Sequence, residues 1–203
     1  MIATMNYVKL QVIRLPQNRK QLKYFKSSSV NHFGPIYEST YISFLFFTDG
    51  SSPCRSLKQH LEPLAIAANV TQADNARLDV VLLTMANLWH AFSNHDLDPE
   101  ICACVKSQIE TRWKKADQAV FVLAIMLNPY LRTQCFHERS AFRKFTNTWT
   151  LFESVYSRVM RKSPTPGLRT VFRRYLDREG TWSDKYMSLD EMERAANSLV
   201  SIH

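Results

Sequence analysis

The fold is decided by residues 78–92, LDVVLLTMANLWHAF, and by residues 119–130, AVFVLAIMLNPY. In the first stretch, apolar side chains recur at spacings of three and four residues, which is typical of a helix with one buried face. The second stretch is apolar on every side up to Asn128-Pro129, so it predicts a helix at the centre of a bundle that ends before the proline. Both patterns indicate a mainly α protein.

Helical spacing continues on the amino-terminal side of this region. Leu57, Leu61, Leu64 and Ala68 fall on one stripe, and Pro63 within it predicts a kink or a break. We therefore expect an amphipathic helix here that is kinked or broken near residues 59–62.

Several helix starts can be read from polar residues. Asp74 or Asn75 is expected to cap the helix at 78–92, because short side chains of this kind accept hydrogen bonds from the first turn. Asp98-Pro99-Glu100 is a stronger start, since it places an acceptor, a proline and an acid in the order that a helix amino terminus favours.

The carboxyl-terminal part also reads as helical. Trp149, Phe152, Tyr156 and Val159 form one apolar stripe, and SPTPG at residues 163–167 predicts a break. A short helix follows the break, and we expect Gly180 to close it. Three arginines lie on its predicted outer face: Arg169, Arg173 and Arg174.

Residues 1–53 differ from the rest in their pattern of apolar and charged side chains. Residues 7–13 and 41–47 are strand-prone, whereas residues 17–26 are basic and polar. The predicted fold is therefore mainly α, a multi-helix bundle with a short irregular or β-prone amino-terminal segment. We predict two regions, a divergent basic segment at 1–53 and a helical domain at 54–203.

Composition excludes several classes of protein. The longest apolar run has nine residues, about half of the ~20 needed to span a bilayer. No secretory signal is evident, so the four cysteines are expected to be reduced thiols in an intracellular protein. The four glycines form no phosphate-binding loop, and no small-molecule substrate is indicated.

The chain resembles the fungal type of the hAT superfamily of transposases. The resemblance rests on Glu62-Pro63-Leu64, the helix at 78–92, Arg112-Trp113, the stop at 127–130 and the stretch from Tyr175 to Gly180. In that family a large helical insertion interrupts a catalytic core resembling RNase H, and this chain looks like part of the insertion and the helices after it. The resemblance implies a nuclear protein that binds DNA or related transposase chains.

The same resemblance implies a two-metal Asp-Asp-Glu triad, which would bind Mg²⁺. Only Glu38 and Asp49 precede the helical region, and a mixed sheet with its crossover helix does not fit there. After the insertion, residues 168–174 contain no acid, and Glu179 is a weak candidate. We therefore predict no catalytic residue and no cofactor.

Other chemistry is weakly indicated. Cys102, Cys104, Cys135 and His137 could supply four zinc ligands, but residues two apart on a helix point to different sides. Local pairs such as Cys135 with His137 do not define a catalytic site, because triads assemble in space. His60 and His90 are interpreted as structural histidines.

The net charge of +8 is concentrated in part of the chain. Residues 132–174 carry ten basic and two acidic side chains, interleaved with aromatics. Arginine beside aromatic residues can bind phosphate and stack on bases, although a solvated helix face over an aromatic core explains the same pattern. The core role is favoured for Trp149, Phe152 and Phe172. The candidate DNA-binding residues are Arg139, Arg143, Lys144, Arg158, Arg161, Lys162, Arg169, Arg173 and Arg174.

These observations favour a non-catalytic remnant of a hAT-like transposase that retains weak binding of DNA or of a related transposase. The alternative is a helical protein-interaction module with no nucleic-acid role. Exposed apolar helix faces would indicate the alternative, whereas steep salt dependence of DNA binding would indicate the first.

Overall fold

A computed structural model describes residues 52–74, 76–94 and 96–191. Within these ranges the chain forms helices and turns and no strand, so the predicted mainly α fold is confirmed. The strand-prone segments at 7–13 and 41–47 lie outside the described residues. The α-helices are α1 (Ser52–Gln72), α2 (Leu78–Ala91), α3 (Pro99–Lys115), α4 (Gln118–Leu127), α5 (Phe145–Met160) and α6 (Pro166–Leu176), and two 3-10 helices cover Ala141–Arg143 and Gly180–Trp182.

The described residues fall into two compact units that divide between Ala116 and Asp117. The first unit contains α1 to α3, and the second contains α4 to α6 with both 3-10 helices.

In the first unit, α1 packs along α2 and α2 contacts α3. The helix α1 runs through Pro63 without a break, so of the two expected outcomes, a kink or a break, the break is wrong. Proline removes one backbone donor and clashes with the preceding turn, and packing of α1 against α2 offsets that penalty. The predicted core face of α2 is correct only in part. Leu82 and Phe92 are buried as predicted, whereas Leu78 is exposed. Leu83 and Ala86, which lie outside the predicted stripe, are buried as well.

Capping in the first unit agrees with the sequence at one helix and differs at another. The Asp98 carboxylate accepts hydrogen bonds from the backbone N–H of Glu100 at 2.8 Å and of Ile101 at 3.1 Å, as its position predicted. The helix α2, however, is not capped by Asp74, and Asn75 lies outside the described residues. It starts after Arg77, whose guanidinium binds the buried Asp79 carboxylate through contacts of 2.6 and 3.1 Å.

His60 has the structural role that was expected of it. Its ring is buried, its Nδ1 lies 2.7 Å from the Ser56 carbonyl oxygen and its Nε2 lies 3.2 Å from the backbone nitrogen of Asp98. The ring thereby links α1 to the start of α3.

In the second unit, α4 supplies the apolar centre. Val122, Ile125 and Met126 are fully buried, and α4 ends at Leu127 before Pro129, as predicted. The helix α5 packs against α4 and α6. Trp149 and Phe172 are buried in one cluster against which Phe152 packs, so the favoured core role of these aromatics is confirmed.

The end of α6 differs from the expectation. Gly180 does not close the helix. Instead, Arg178 takes the left-handed conformation with φ of 61°, and the backbone N–H of Glu179 donates to the Arg174 carbonyl at 2.9 Å. With the N–H of Arg178 directed to the Tyr175 carbonyl, this is a Schellman end that uses arginine where glycine is usual.

Candidate nucleic-acid interface

All nine cationic side chains predicted to bind DNA are exposed. The structure does not gather them into a single surface. Some surround the start of α5 and one face of α6, and others are held in local contacts elsewhere in the second unit. The nine cations therefore lie in several separate groups.

The most concentrated group lies around Phe145, the first residue of α5. The guanidinium carbon of Arg173 lies 5.2 Å from the centre of the Phe145 ring, and that of Arg169 lies 5.9 Å from it. Arg169 also lies 5.8 Å from the centre of the Trp149 ring. With Lys144 next to Phe145 in the chain, these residues form the α5–α6 basic cluster: Lys144, Phe145, Trp149, Arg169 and Arg173.

Local sequence explains this geometry. Arg169 and Arg173 are four residues apart on α6, so they lie on one helical face. Phe172 on the same helix is buried against the α5 aromatics, with ring centres 4.5 Å from Phe152 and 6.2 Å from Trp149. The buried stack therefore fixes α6 against α5, and the cations above it are positioned by a rigid base.

The charges of this cluster are partly compensated. The Arg173 Nε lies 3.4 Å from a carboxylate oxygen of Asp177, and about half or more of each side chain is exposed to solvent. Such exposed pairs contribute little to stability and leave the guanidinium accessible. Neither Lys144 nor Arg169 has an acidic partner among the described residues.

Two predicted residues are held elsewhere. Arg143 donates from Nε to the Phe136 carbonyl at 3.0 Å and from Nη2 to the Gln134 carbonyl at 3.3 Å, so it fastens a loop. Arg158 lies 2.5 Å from a carboxylate oxygen of Asp117, which precedes α4. Both side chains have structural contacts that compete with a ligand.

The remaining four cations stand apart from these contacts. Arg161 and Lys162 follow α5, and Arg161 takes the left-handed conformation with φ of 53°. Arg174 lies close to Gly180, where an added Cβ would approach its Nη2 to 2.6 Å. Arg139 is exposed in the turn region before the first 3-10 helix.

A different arginine, Arg132, is the most unusual polar residue of the unit. Its side chain is 1% exposed, and its guanidinium lies 4.8 Å from the centre of the Tyr175 ring. Nη2 donates to the Trp182 carbonyl at 2.8 Å and lies 3.8 Å from a carboxylate oxygen of Asp184, which also pairs with Arg178. The sequence offered one signal for this burial, since Arg132 directly follows the apolar turn after α4.

Burial shifts the pKa values of Arg132 and of Tyr175 beside it. Desolvation lowers the pKa of Arg132, an effect that the nearby Tyr175 and Asp184 partly oppose. Desolvation also raises the pKa of Tyr175 to about 12, while the hydroxyl donates to the Leu127 carbonyl at 2.7 Å. Nε and Nη1 of Arg132 are buried without a hydrogen-bond partner among the described residues. Arg132 and Tyr175, with their partners, thus connect the end of α4, the helix α6 and the segment after α6.

The residues considered for metal binding or catalysis do not assemble. Within the described ranges, no group of three or more His, Cys, Asp and Glu side chains could hold a metal ion. Cys102 is buried and Cys104 is exposed, as their spacing on one helix predicted. Glu179 is exposed, whereas its neighbours Asp177 and Asp184 are both paired with arginines. Glu38 and Asp49 lie outside the described residues.

Cys135 also lacks the properties of a nucleophile. It is 1% exposed, and burial raises the pKa of its thiol to about 12. A reactive cysteine instead needs a lowered pKa and access to solvent. Cys135 is therefore part of the apolar core, together with Phe136 beside it.

Comparison with family models, with curated proteins and with solved structures finds no match for this chain. Of the helices in the described part of the chain, none has both the length and the apolar character required to cross a membrane.

Proposed function

We propose that this protein is a non-catalytic helical module that binds nucleic acid through the α5–α6 basic cluster. The observation that carries the proposal is the placement of Arg169 and Arg173 over the ring of Phe145, on a base of buried aromatics. Guanidinium groups bind phosphate in a bidentate manner, and stacking on an aromatic ring restricts their orientation beforehand.

The nearby cations support an interface that extends beyond this cluster. Arg161, Lys162 and Arg174 are exposed on the same unit, and residues 132–174 carry an excess of eight positive charges. A positive surface of this kind gains affinity from release of the counterions around nucleic acid. Such binding is independent of sequence, so we propose weak binding without base readout.

A salt series tests the proposal. Binding of a labelled 20-base-pair duplex to the full chain should weaken steeply as salt rises, because each phosphate contact contributes about −0.9 to the slope of log K against log salt. The double variant Arg169→Ala, Arg173→Ala should make the slope less negative by about 2. Affinity that does not respond to salt would exclude the proposal.

A matched control is available in the first unit. Lys114 and Lys115 are exposed at the end of α3 and belong to no cation–aromatic cluster among the described residues. The variant Lys114→Ala, Lys115→Ala removes the same charge as the double arginine variant. If both variants weaken binding equally, net charge and not the cluster carries the interaction.

A protein-interaction module is the second candidate function. Val159 and Met160, at the end of α5, are 66% and 50% exposed, and Tyr186 is 73% exposed. Exposed apolar groups can form a protein contact. Size-exclusion chromatography with light scattering separates the candidates. A monomer whose elution shifts with duplex DNA supports the first, whereas self-association that is indifferent to DNA supports the second.

We also propose that the module is related to the helical insertion of hAT-like transposases. The support is the helix order and the stop after Leu127, together with acidic neighbours of Glu179 that are engaged in ion pairs. DNA-strand transfer by the purified chain with Mg²⁺ would exclude a non-catalytic relative.

A further inference from the structure

The linker between α5 and α6 carries a feature that the proposed interface does not use. It contains two hydroxyl side chains, Ser163 and Thr165, each followed directly by a proline. Both hydroxyl residues are exposed, and the preceding Arg161 and Lys162 are exposed as well. The pair of Ser-Pro and Thr-Pro dipeptides is therefore presented on the surface between two well-packed helices.

The backbone of this linker is extended at Thr165, directly before α6. Thr165 has φ of −70° and ψ of 153°. A residue before proline is driven into this conformation because the proline ring clashes with a helical neighbour. Protein kinases bind the acceptor segment as an extended strand, and proline at the following position supplies no backbone N–H. Kinases that require proline there select for this local geometry.

We propose that Ser163 and Thr165 are phosphorylation sites for a proline-directed serine/threonine kinase. In the reaction the side-chain hydroxyl oxygen attacks the γ-phosphorus of ATP. The bond from that phosphorus to the oxygen bridging to the β-phosphate breaks, ADP leaves, and the hydroxyl proton passes to the kinase's catalytic base.

The two sites differ in what a phosphate would do. Thr165 is the N-cap residue of α6, and its hydroxyl makes no capping hydrogen bond. A phosphate there would lie at the positive end of α6, where backbone N–H groups and the helix dipole favour negative charge. Ser163 lies two residues earlier, outside the helix. Phosphorylation of Thr165 should therefore stabilise α6, and phosphorylation of Ser163 should not.

Phosphate mapping tests the sites directly. The full chain carrying Ser52→Ala, which removes the Ser-Pro pair at residues 52–53, is incubated with Mg-ATP and a mitogen-activated or cyclin-dependent kinase. Mass spectrometry should find phosphate on Ser163 and Thr165, and the variant Ser163→Ala, Thr165→Ala should lose it. If neither residue is modified in the folded chain, while the same kinases modify a synthetic peptide of residues 158–170, the proposal is overturned.

Thermal unfolding tests the capping effect. Phosphorylation of Ser163→Ala at Thr165 should raise Tm by about 2–4 °C, the shift produced by ~1 kcal/mol in a chain of this size. Phosphorylation of Thr165→Ala at Ser163 should change Tm by less than that. Equal shifts in the two variants would contradict the capping role of Thr165.

A further consequence rests on the proposed nucleic-acid function. Each phosphate adds about −1.5 to −2 charges beside the basic stretch, so the doubly phosphorylated chain should bind duplex DNA more weakly than the unmodified chain. If phosphate maps to both sites but neither form binds DNA, the proposed function fails and the modification sites stand. If DNA binds in a salt-dependent manner but no phosphate is incorporated, the modification proposal fails alone.

Discussion

Two arrangements in the second unit place a guanidinium over an aromatic ring, and they differ in burial. Arg132 lies over Tyr175 inside the protein, whereas Arg169 and Arg173 lie over Phe145 at its surface. The buried guanidinium is held by a backbone carbonyl and two side chains. The exposed pair has one carboxylate neighbour and faces solvent. The same chemistry is therefore structural at one site and available to a ligand at the other.

The largest expected effect separates the two arrangements by stability. Arg132→Ala should lower the free energy of unfolding by about 3 kcal/mol, because it leaves Asp184 with one less cation and opens a cavity. Arg132→Met should cost less, since it refills the volume and removes two unpartnered nitrogens. Urea unfolding followed by circular dichroism measures both. An Ala variant as stable as the parent would mean that the buried guanidinium is dispensable.

Substitution of the exposed arginines should affect DNA binding and leave stability nearly unchanged. Arg169→Ala, Arg173→Ala should change the free energy of unfolding by less than about 1 kcal/mol, because exposed cation–aromatic contacts and exposed ion pairs are weak. The same variant is expected to lose DNA affinity. A large loss of stability in urea unfolding would show that these arginines are structural after all.

Alkaline pH should destabilise the fold through two buried side chains, Cys135 and Tyr175. Burial raises the pKa of Cys135 from 9.0 to about 12 and that of Tyr175 from 10.0 to about 12. A raised pKa in the folded state gives stability that is fully present below the unfolded value and is lost as pH rises towards the folded value. Stability should therefore decline from about pH 9 and more steeply above pH 10, by about 1.4 kcal/mol per unit for each group.

Substitution of Cys135 and of Tyr175 should show which side chain causes each part of this decline in stability. Cys135→Ala should remove the part that begins at pH 9. Tyr175→Phe should lose about 1 kcal/mol at neutral pH, with its hydrogen bond to Leu127, and should flatten the decline above pH 10. Chemical unfolding at pH 7, 9 and 11 measures these changes. An unchanged pH profile in both variants would refute the role of burial.

The smallest expected effect concerns the turns. Arg161→Gly should raise the free energy of unfolding by up to about 1 kcal/mol, because glycine adopts positive φ without strain. Arg178→Gly should gain less, since it also breaks the ion pair with Asp184. Thermal unfolding of the two variants side by side makes the measurement. A loss of stability in Arg161→Gly would indicate a contact of the Arg161 side chain that stabilises the end of α5.

The sequence predicted the features that depend on local chemistry. Asp98-Pro99 specified a helix start and Pro129 specified a helix end, because each acts on the backbone within one turn. The sequence indicated the wrong cap for α2, since Arg77 and not Asp74 precedes the helix, and the Arg77 guanidinium pairs with Asp79. It also missed the Schellman end at Arg178, because glycine two residues later fitted the usual rule.

The candidate interface was predicted only in part. The list of nine cations follows from composition, and each of them is exposed. Which cations share a surface depends on how α6 packs against α5 through Phe172, and periodicity within one helix carries no such information. The partners of the buried Arg132 could not be predicted for the same reason, since Tyr175 and Trp182 are 43 and 50 residues away in the chain.

Among the described residues, three of the four non-glycine residues with positive φ are arginines: Arg132, Arg161 and Arg178. Arginine and glycine codons can differ by a single base, so random mutation readily produces glycine at all three turns. A library selected only for folding should accept glycine at residue 161, reject it at residue 132 and tolerate it at residue 178. Such a selection would distinguish arginines kept for architecture from those that the fold can do without.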